Sequence, residues 1–290
     1  MDTGGADLHL HSHRSDGKLS PSRLVAMAAE QGLESLSLTD HDTLEGIEEA
    51  REAGARLGVR VLTGIELSAE FRAKDVHLLA YGFDAGHPAL RKELERLQEG
   101  RRERALRIVR RLNDLKVPLG IEAVRRHAEG DSLGRPHVAQ ALWKGGFVSS
   151  PQAAFDRYLN PGAPAYVPWS RMPVARAREV IHQALGVLVL AHPFLNLSPG
   201  NVRALVDEGL DGLETVHPRL VPSQRRELTQ LALEKGILVT GGTDFHGGED
   251  SDRRLGAIRM SRETVEAVEG ALRAMAERPA ERVRSSERGG

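Results

Sequence analysis

Along the first third of the chain, short apolar runs alternate with stretches whose apolar residues recur at helical spacing. Residues 6–11 read as a strand, with Leu8 and Leu10 on one face and Asp7, His9 and His11 on the other. Residues 20–31 read as a helix: Ser20 is its N-cap, Pro21 its first position and Gly32 its stop. Further strands are predicted over 35–39, 59–64 and 76–81, with a helix over 44–57. Strands alternating with helices point to a parallel sheet or barrel.

The pattern changes near residue 88. LRKELERLQEGRRERALRIVRRLNDL predicts one long, highly charged helix, and shorter helical pieces follow to about residue 158. Strands return over 187–191, 212–216 and 237–240, and a helix over 262–276 follows. The expected organisation is a barrel begun by residues 1–87, interrupted by a helical insertion (a cap) over 88–165, and completed by 166–277. Residues 278–290 have almost no apolar side chains and read as a disordered tail. At 290 residues, the chain suits one α/β barrel of about 250 residues enlarged by an insertion.

Composition narrows the class. Apolar residues make up 40% and charged residues 28%, enough to bury a full core. Forty basic against 41 acidic residues leave no global attraction to nucleic acid or membrane. There is no cysteine, so any metal must sit among nitrogen and oxygen ligands. No apolar leader or membrane-length run is visible, which makes a cytoplasmic enzyme the expectation, with no membrane and no protein partner implied.

The candidate chemistry gathers where strands end. Besides Asp7, His9 and His11, with Asp16 within loop reach, ESLSLT runs into Asp40, His41 and Asp42, and VRVLTG into Ile65 and Glu66. GVLVL runs into His192, and GILVTGG into Thr243, Asp244 and His246, while His77 lies inside DVHLLAYG. Barrel enzymes assemble their sites at the C-terminal strand ends, so these residues can converge on one mouth. A single histidine in such a place is commonly structural. Six histidines together with carboxylates such as Asp16, Glu66 and Asp244 imply metal binding, and zinc, manganese and iron all suit such donors.

In this order, DLHLHSHRSDG, TDHDT, GIELSA, HLLAYG, AHP and GTDFHG resemble the motifs of the polymerase and histidinol phosphatase (PHP) superfamily across nearly the whole chain. The resemblance implies a distorted (β/α)7 barrel with a cluster of two or three divalent ions, manganese first and zinc or iron as alternatives. It implies His9, His11, Glu66 and Asp244 around one ion, Glu66 bridging to a second held by His77 and His192, and Asp16, His41 and His246 around a third. Asp40, His41 and His246 fall nearest the reaction, Asp40 as a proton donor or an outer support. Thr243 stands where serine is commoner, and His13 is an extra histidine expected to face solvent.

GRPHVAQAL and PAYVP are similar to the branch that includes 3′,5′-nucleoside bisphosphate phosphatases and enzymes that trim RNA from its 5′ end. Arg135 and His137 are then expected to grip a second phosphate, Arg offering a planar fork. His217 is expected near the mouth, either meeting substrate or buried and hydrogen-bonded. Arg171, Arg253 and Arg254, and the arginine run from Arg101 to Arg111, read as solvated surface. The implied activity is removal of the 5′-phosphate from a 3′,5′-nucleoside bisphosphate, such as 3′-phosphoadenosine 5′-phosphate, by a water that the cations activate. The alternatives are a 5′-to-3′ exoribonuclease on short RNA, a phosphatase for AMP or histidinol phosphate, and a metal-binding regulatory module without activity.

Overall fold

The computed structural model describes residues 4–128, 133–169, 171–248 and 254–277. The tail expected over 278–290, and Arg253, lie outside the described residues. The first part of the chain forms β1 (Ala6–Leu10), α1 (Pro21–Glu30), β2 (Ser35–Leu38), α2 (Ile47–Leu57), β3 (Arg60–Phe71) and β4 (Lys74–Tyr81). The helical stretch follows as α3 (Pro88–Asp114), α4 (Ile121–Arg125), α5 (Arg135–Lys144), α6 (Pro151–Ala154) and a π-helical turn, Phe155–Leu159. The chain then returns through β5 (Met172–Pro173), α7 (Val174–Gln183), β6 (Val187–Leu190), α8 (Pro199–Asp207), β7 (Gly212–Val216), α9 (Pro222–Lys235), β8 (Leu238–Gly241) and α10 (Arg262–Ala276).

Seven strands line up in the order β1-β2-β3-β4-β6-β7-β8, with the two-residue β5 beside β3. Closure is made by the segment after β8 rather than by β8 itself. Asp244 N–H donates to the carbonyl of His9 (2.9 Å), and His11 N–H to that of Phe245 (3.0 Å). This nearly closed barrel, with helices around it, is the distorted seven-stranded α/β architecture expected from the motifs.

Two features depart from a regular repeat of strand and helix. β3 is longer than expected, running on past residue 64 to Phe71, so Glu66 lies in mid-strand and not at a strand end. β3 and β4 then form an antiparallel hairpin, with Phe71 opposite Lys74 across the two-residue turn Arg72-Ala73. Both turn residues are left-handed (φ 50° and 59°), the backbone that matches the twist of paired strands. β4 is therefore antiparallel to both its neighbours, β3 and β6.

The N-terminal signals of α1 are realised, with Ser20 Oγ accepting the N–H of Arg23 at 3.1 Å. α3 serves two cores. Leu90, Leu94 and Leu97 pack with barrel residues such as Leu67, Leu78 and Val180. Ala105, Ile108, Val109 and Leu112 pack instead with Val138, Leu142, Leu159 and Val167 in a separate apolar cluster. The change falls at Gly100, where a Cβ would run into the indole of Trp169. Among the described residues, no helix is long and apolar enough to cross a membrane.

Candidate metal centre

β1 alternates as its sequence requires. His9 and His11 reach the mouth, while Leu8 and Leu10 are fully buried in apolar clusters. Around them the other ligand candidates arrive from every side of the barrel. His41 follows β2 and bridges to Glu66, so Glu66 sits level with the end of β2 although β3 continues beyond it. Reversal of β4 explains His77: in an antiparallel strand the N-terminal half lies at the mouth, and His77 stands opposite Ser68. His192 follows β6, and Asp244 and His246 follow β8.

Glu66 occupies the centre, 1% exposed. Its Oε2 lies 3.0 Å from His11 Nε2 and 3.2 Å from both His9 Nε2 and His41 Nδ1. Its Oε1 lies 2.8 Å from His77 Nδ1 and 3.1 Å from His192 Nε2. Each carboxylate oxygen thus faces its own set of imidazoles. On the far side of the His9 and His11 rings, Asp244 Oδ1 is 3.5 Å from His9 Nε2 and 3.3 Å from His11 Nε2. Asp16 Oδ1 lies 3.3 Å from His246 Nε2, and its Oδ2 lies 3.8 Å from His41 Nε2.

Among the described residues, three groups of donor atoms result, each within a 4.8 Å span: His9, His11, Glu66 and Asp244; His41, Glu66 and His77; and His11, Asp16, His41 and His246. The first is the set expected around one ion. The other two differ in detail, because His41 Nδ1 and Nε2 face different neighbours and His192 meets the cluster through Glu66. His13 belongs to none of the groups and is half-buried.

Electrostatics favour ligand states that are free of protons on the carboxylates. Burial alone would raise the Glu66 carboxyl, yet His41, His77 and His9 hold it well below the usual carboxylate range. Asp16 is lowered likewise, burial being outweighed by His246 and His41. Asp244 is lowered by His246 and His9, again against burial.

Two buried aspartates shape the surrounding loops. Burial pushes Asp7 up to about 6, opposed by hydrogen bonds from Thr243. Asp7 accepts Thr243 Oγ1–H at 2.6 Å and Thr243 N–H at 2.9 Å, so threonine supplies the hydroxyl that serine would supply in the loop carrying Asp244. Asp40 accepts Ser12 N–H, Ser12 Oγ–H and Ser15 Oγ–H, each at 2.7 Å, which ties down the loop leading to Asp16. Burial raises its pKa against those bonds.

The helical stretch after β4 reaches the same loop. His137, 6% exposed, accepts Gly134 N–H through Nδ1 at 3.0 Å and hydrogen-bonds the backbone of Ser15. Arg135 is half-buried, donates to the carbonyl of Leu159 at 3.3 Å and lies 5.8 Å from the Phe155 ring centroid. His217 is fully buried behind Asp244, its Nε2 3.4 Å from Oδ2.

Three arginines read as solvated surface are not: Arg104, 9% exposed, donates its Nε–H to the carbonyl of Val167 at 2.9 Å. Arg101 pairs with the buried Asp42 at 2.6 Å, and Arg171, 8% exposed, pairs with Asp75 at 2.6 Å. The sequence reading missed Glu214 altogether. It is fully buried on β7 and bonded to His9 Nδ1 at 2.9 Å.

Comparison with known proteins agrees with this geometry. Residues 7–122 match the family model of the PHP domain. A 5′-3′ exoribonuclease of Haemophilus influenzae is 36% identical over 83% of this chain and 89% of its own length. A 3′,5′-nucleoside bisphosphate phosphatase of Chromobacterium violaceum is 31% identical over 86% of this chain and 90% of its own. The solved structure of a metal-dependent phosphoesterase from Bifidobacterium adolescentis superposes with a TM-score of 0.85 at 30% identity, covering 93% of this chain and 97% of that one. The chain belongs to the PHP family. Its activity is that of a metal-dependent phosphoric ester hydrolase.

Proposed function

We propose that the protein hydrolyses the 5′-phosphate ester of a nucleotide that also carries a 3′ phosphate. Glu66 carries the reading, because its two oxygens face separate imidazole sets as a carboxylate bridging two cations would. The residues fit such ions. Ligand atoms each about 2.1 Å from one cation lie roughly 3.0–3.4 Å apart, and His9, His11, Glu66 and Asp244 show separations of 3.0 to 3.5 Å. His11 Nδ1 is moreover buried without a hydrogen-bond partner among the described residues. His9, His11, Glu66 and Asp244 would hold one ion, Glu66, His77 and His192 a second, and Asp16, His41 and His246 a third, with His41 also facing the second position. Manganese is the ion proposed, zinc or iron being the alternatives for donors of nitrogen and oxygen only.

Bound cations would lower the pKa of a water and neutralise phosphoryl oxygens. The chain's part is to bind and orient. Asp40, with both oxygens taken by Ser12 and Ser15, fixes the loop that aims Asp16. His217 steadies Asp244. The cap, residues 88–165, covers the mouth, where Arg135 supplies a guanidinium fork for the second phosphate and His137 seats the cap on the Ser15 backbone.

A second reading has its own support, since the exoribonuclease relative is more similar in sequence than the bisphosphatase. Under that reading the 3′ phosphate belongs to the next nucleotide of a short RNA. Phosphate release from 3′-phosphoadenosine 5′-phosphate and AMP, run beside time courses on 5′-phosphorylated oligoribonucleotides, separates the two. The first reading requires faster turnover of the bisphosphate than of AMP and no ladder. A ladder of shortened RNAs supports the second, and AMP turned over as fast as the bisphosphate contradicts both.

A further inference from the structure

One buried group at the centre is neither a ligand in any of the donor groups nor part of the proposed chemistry. Glu214 lies on β7 with its side chain completely buried, which no carboxylate tolerates without partners. Its two oxygens take different ones. Oε1 is 2.9 Å from His9 Nδ1, and Oε2 accepts the backbone N–H of His192 at 2.6 Å.

Each bond has a consequence. An imidazole that donates from Nδ1 carries its lone pair on Nε2, and His9 Nε2 is the atom aimed at Glu66 and Asp244. His192 has a left-handed backbone (φ 30°, ψ 58°), a conformation that is strained for a residue with a Cβ. A charge-assisted hydrogen bond to its N–H offsets that strain and keeps its Nε2 at Glu66 Oε1. His9 arrives from β1 and His192 from the end of β6, on opposite oxygens of Glu66. Glu214 therefore ties together one imidazole from each side of the bridge.

We propose that Glu214 is a positioning residue that fixes the ring tautomer of His9 and the strained backbone of His192, and so sets two neighbouring cation positions at once. The proposal rests on the metal-cluster reading above. It adds a carboxylate that holds the ligands without touching an ion.

The test is titration of the full chain, stripped with chelator, with Mn²⁺ alone. Ion number and affinity are read by calorimetry and elemental analysis for the wild type, Glu214→Ala, Glu214→Gln and Tyr81→Phe. Tyr81 is buried in the same barrel and donates to the carbonyl of Leu8, so it reports what the loss of one buried barrel hydrogen bond does. Glu214→Ala should weaken Mn²⁺ binding by about 10- to 100-fold. Glu214→Gln should fall between, because its single carbonyl oxygen can accept from His9 or His192 but not both. Wild-type number and affinity in Glu214→Ala, or in Glu214→Gln if the alanine variant does not fold, overturns the proposal. So does an equal loss in Tyr81→Phe. A wild type that binds Mn²⁺, with Glu214→Ala weakened, but hydrolyses no phosphoester sinks the proposed function and supports the role of Glu214. A wild type holding fewer than two ions ends both.

Discussion

The guanidinium of Arg101 on α3 lies 2.6 Å from Asp42 Oδ2, and its Nη2 lies 2.7 Å from Ser68 Oγ. Asp42 is fully buried, follows His41 directly and accepts Ser68 N–H at 2.7 Å, while Ser68 stands opposite His77. The long helix is thereby pinned to the loop that carries His41 and to β3, the strand that carries Glu66. Arg101→Ala leaves a buried carboxylate without its partner, which should cost about 3–5 kcal/mol. Urea denaturation measures this, and a midpoint within error of the wild type would show that the pair is not a structural tie. Arg101→Lys should recover only part, since a point charge cannot serve Asp42 and Ser68 with one planar fork.

Glu66→Gln removes the charge between the two imidazole sets and leaves the volume unchanged. Its effect should exceed the roughly 10- to 100-fold loss typical of a group that only supports the ligands. Metal content and phosphate release should therefore fall together in this variant. Full metal content would mean that Glu66 bridges nothing.

Arg135→Ala tests the cap. If its guanidinium meets a second phosphate, the variant should lose about 10- to 100-fold in kcat/KM on a 3′,5′-bisphosphate, the worth of a hydrogen bond to a charged group. Its rate on the matching 5′-monophosphate should hardly change. Equal losses on both substrates contradict the role given to the cap.

Leu142→Ala probes whether the cap carries its own core. Leu142 is completely buried in the cluster formed by the second half of α3 and α5. Truncation should destabilise the protein by about 2–5 kcal/mol. Mn²⁺ stoichiometry should stay at the wild-type level, because none of the ligand candidates belongs to that cluster. Loss of ions in this variant would show that the two parts do not keep their structures independently.

Much of the barrel was legible because its strands are short and follow the period of two. Alternation put His9 and His11 opposite Leu8 and Leu10, and the capping signals around Ser20 and Pro21 marked a helix that forms where expected. The β3–β4 hairpin was hidden, because Arg72-Ala73 lacks the Asn-Gly or Asp-Gly signature of a two-residue turn and takes its left-handed backbone from strand pairing. Arg101 and Arg171 looked solvated because helix and loop charges ordinarily are, and only tertiary packing brings Asp42 and Asp75 to them. Glu214 gave no local sign either. A glutamate in a strand normally marks the wet face, and here closing the barrel turns that face toward His9.

Ion content per chain, measured by elemental analysis on protein stripped with chelator and then reconstituted with Mn²⁺, tests the central claim most directly. The account predicts two or three ions per chain, with phosphoesterase activity appearing as they bind. Fewer than two ions under saturating Mn²⁺ would contradict it.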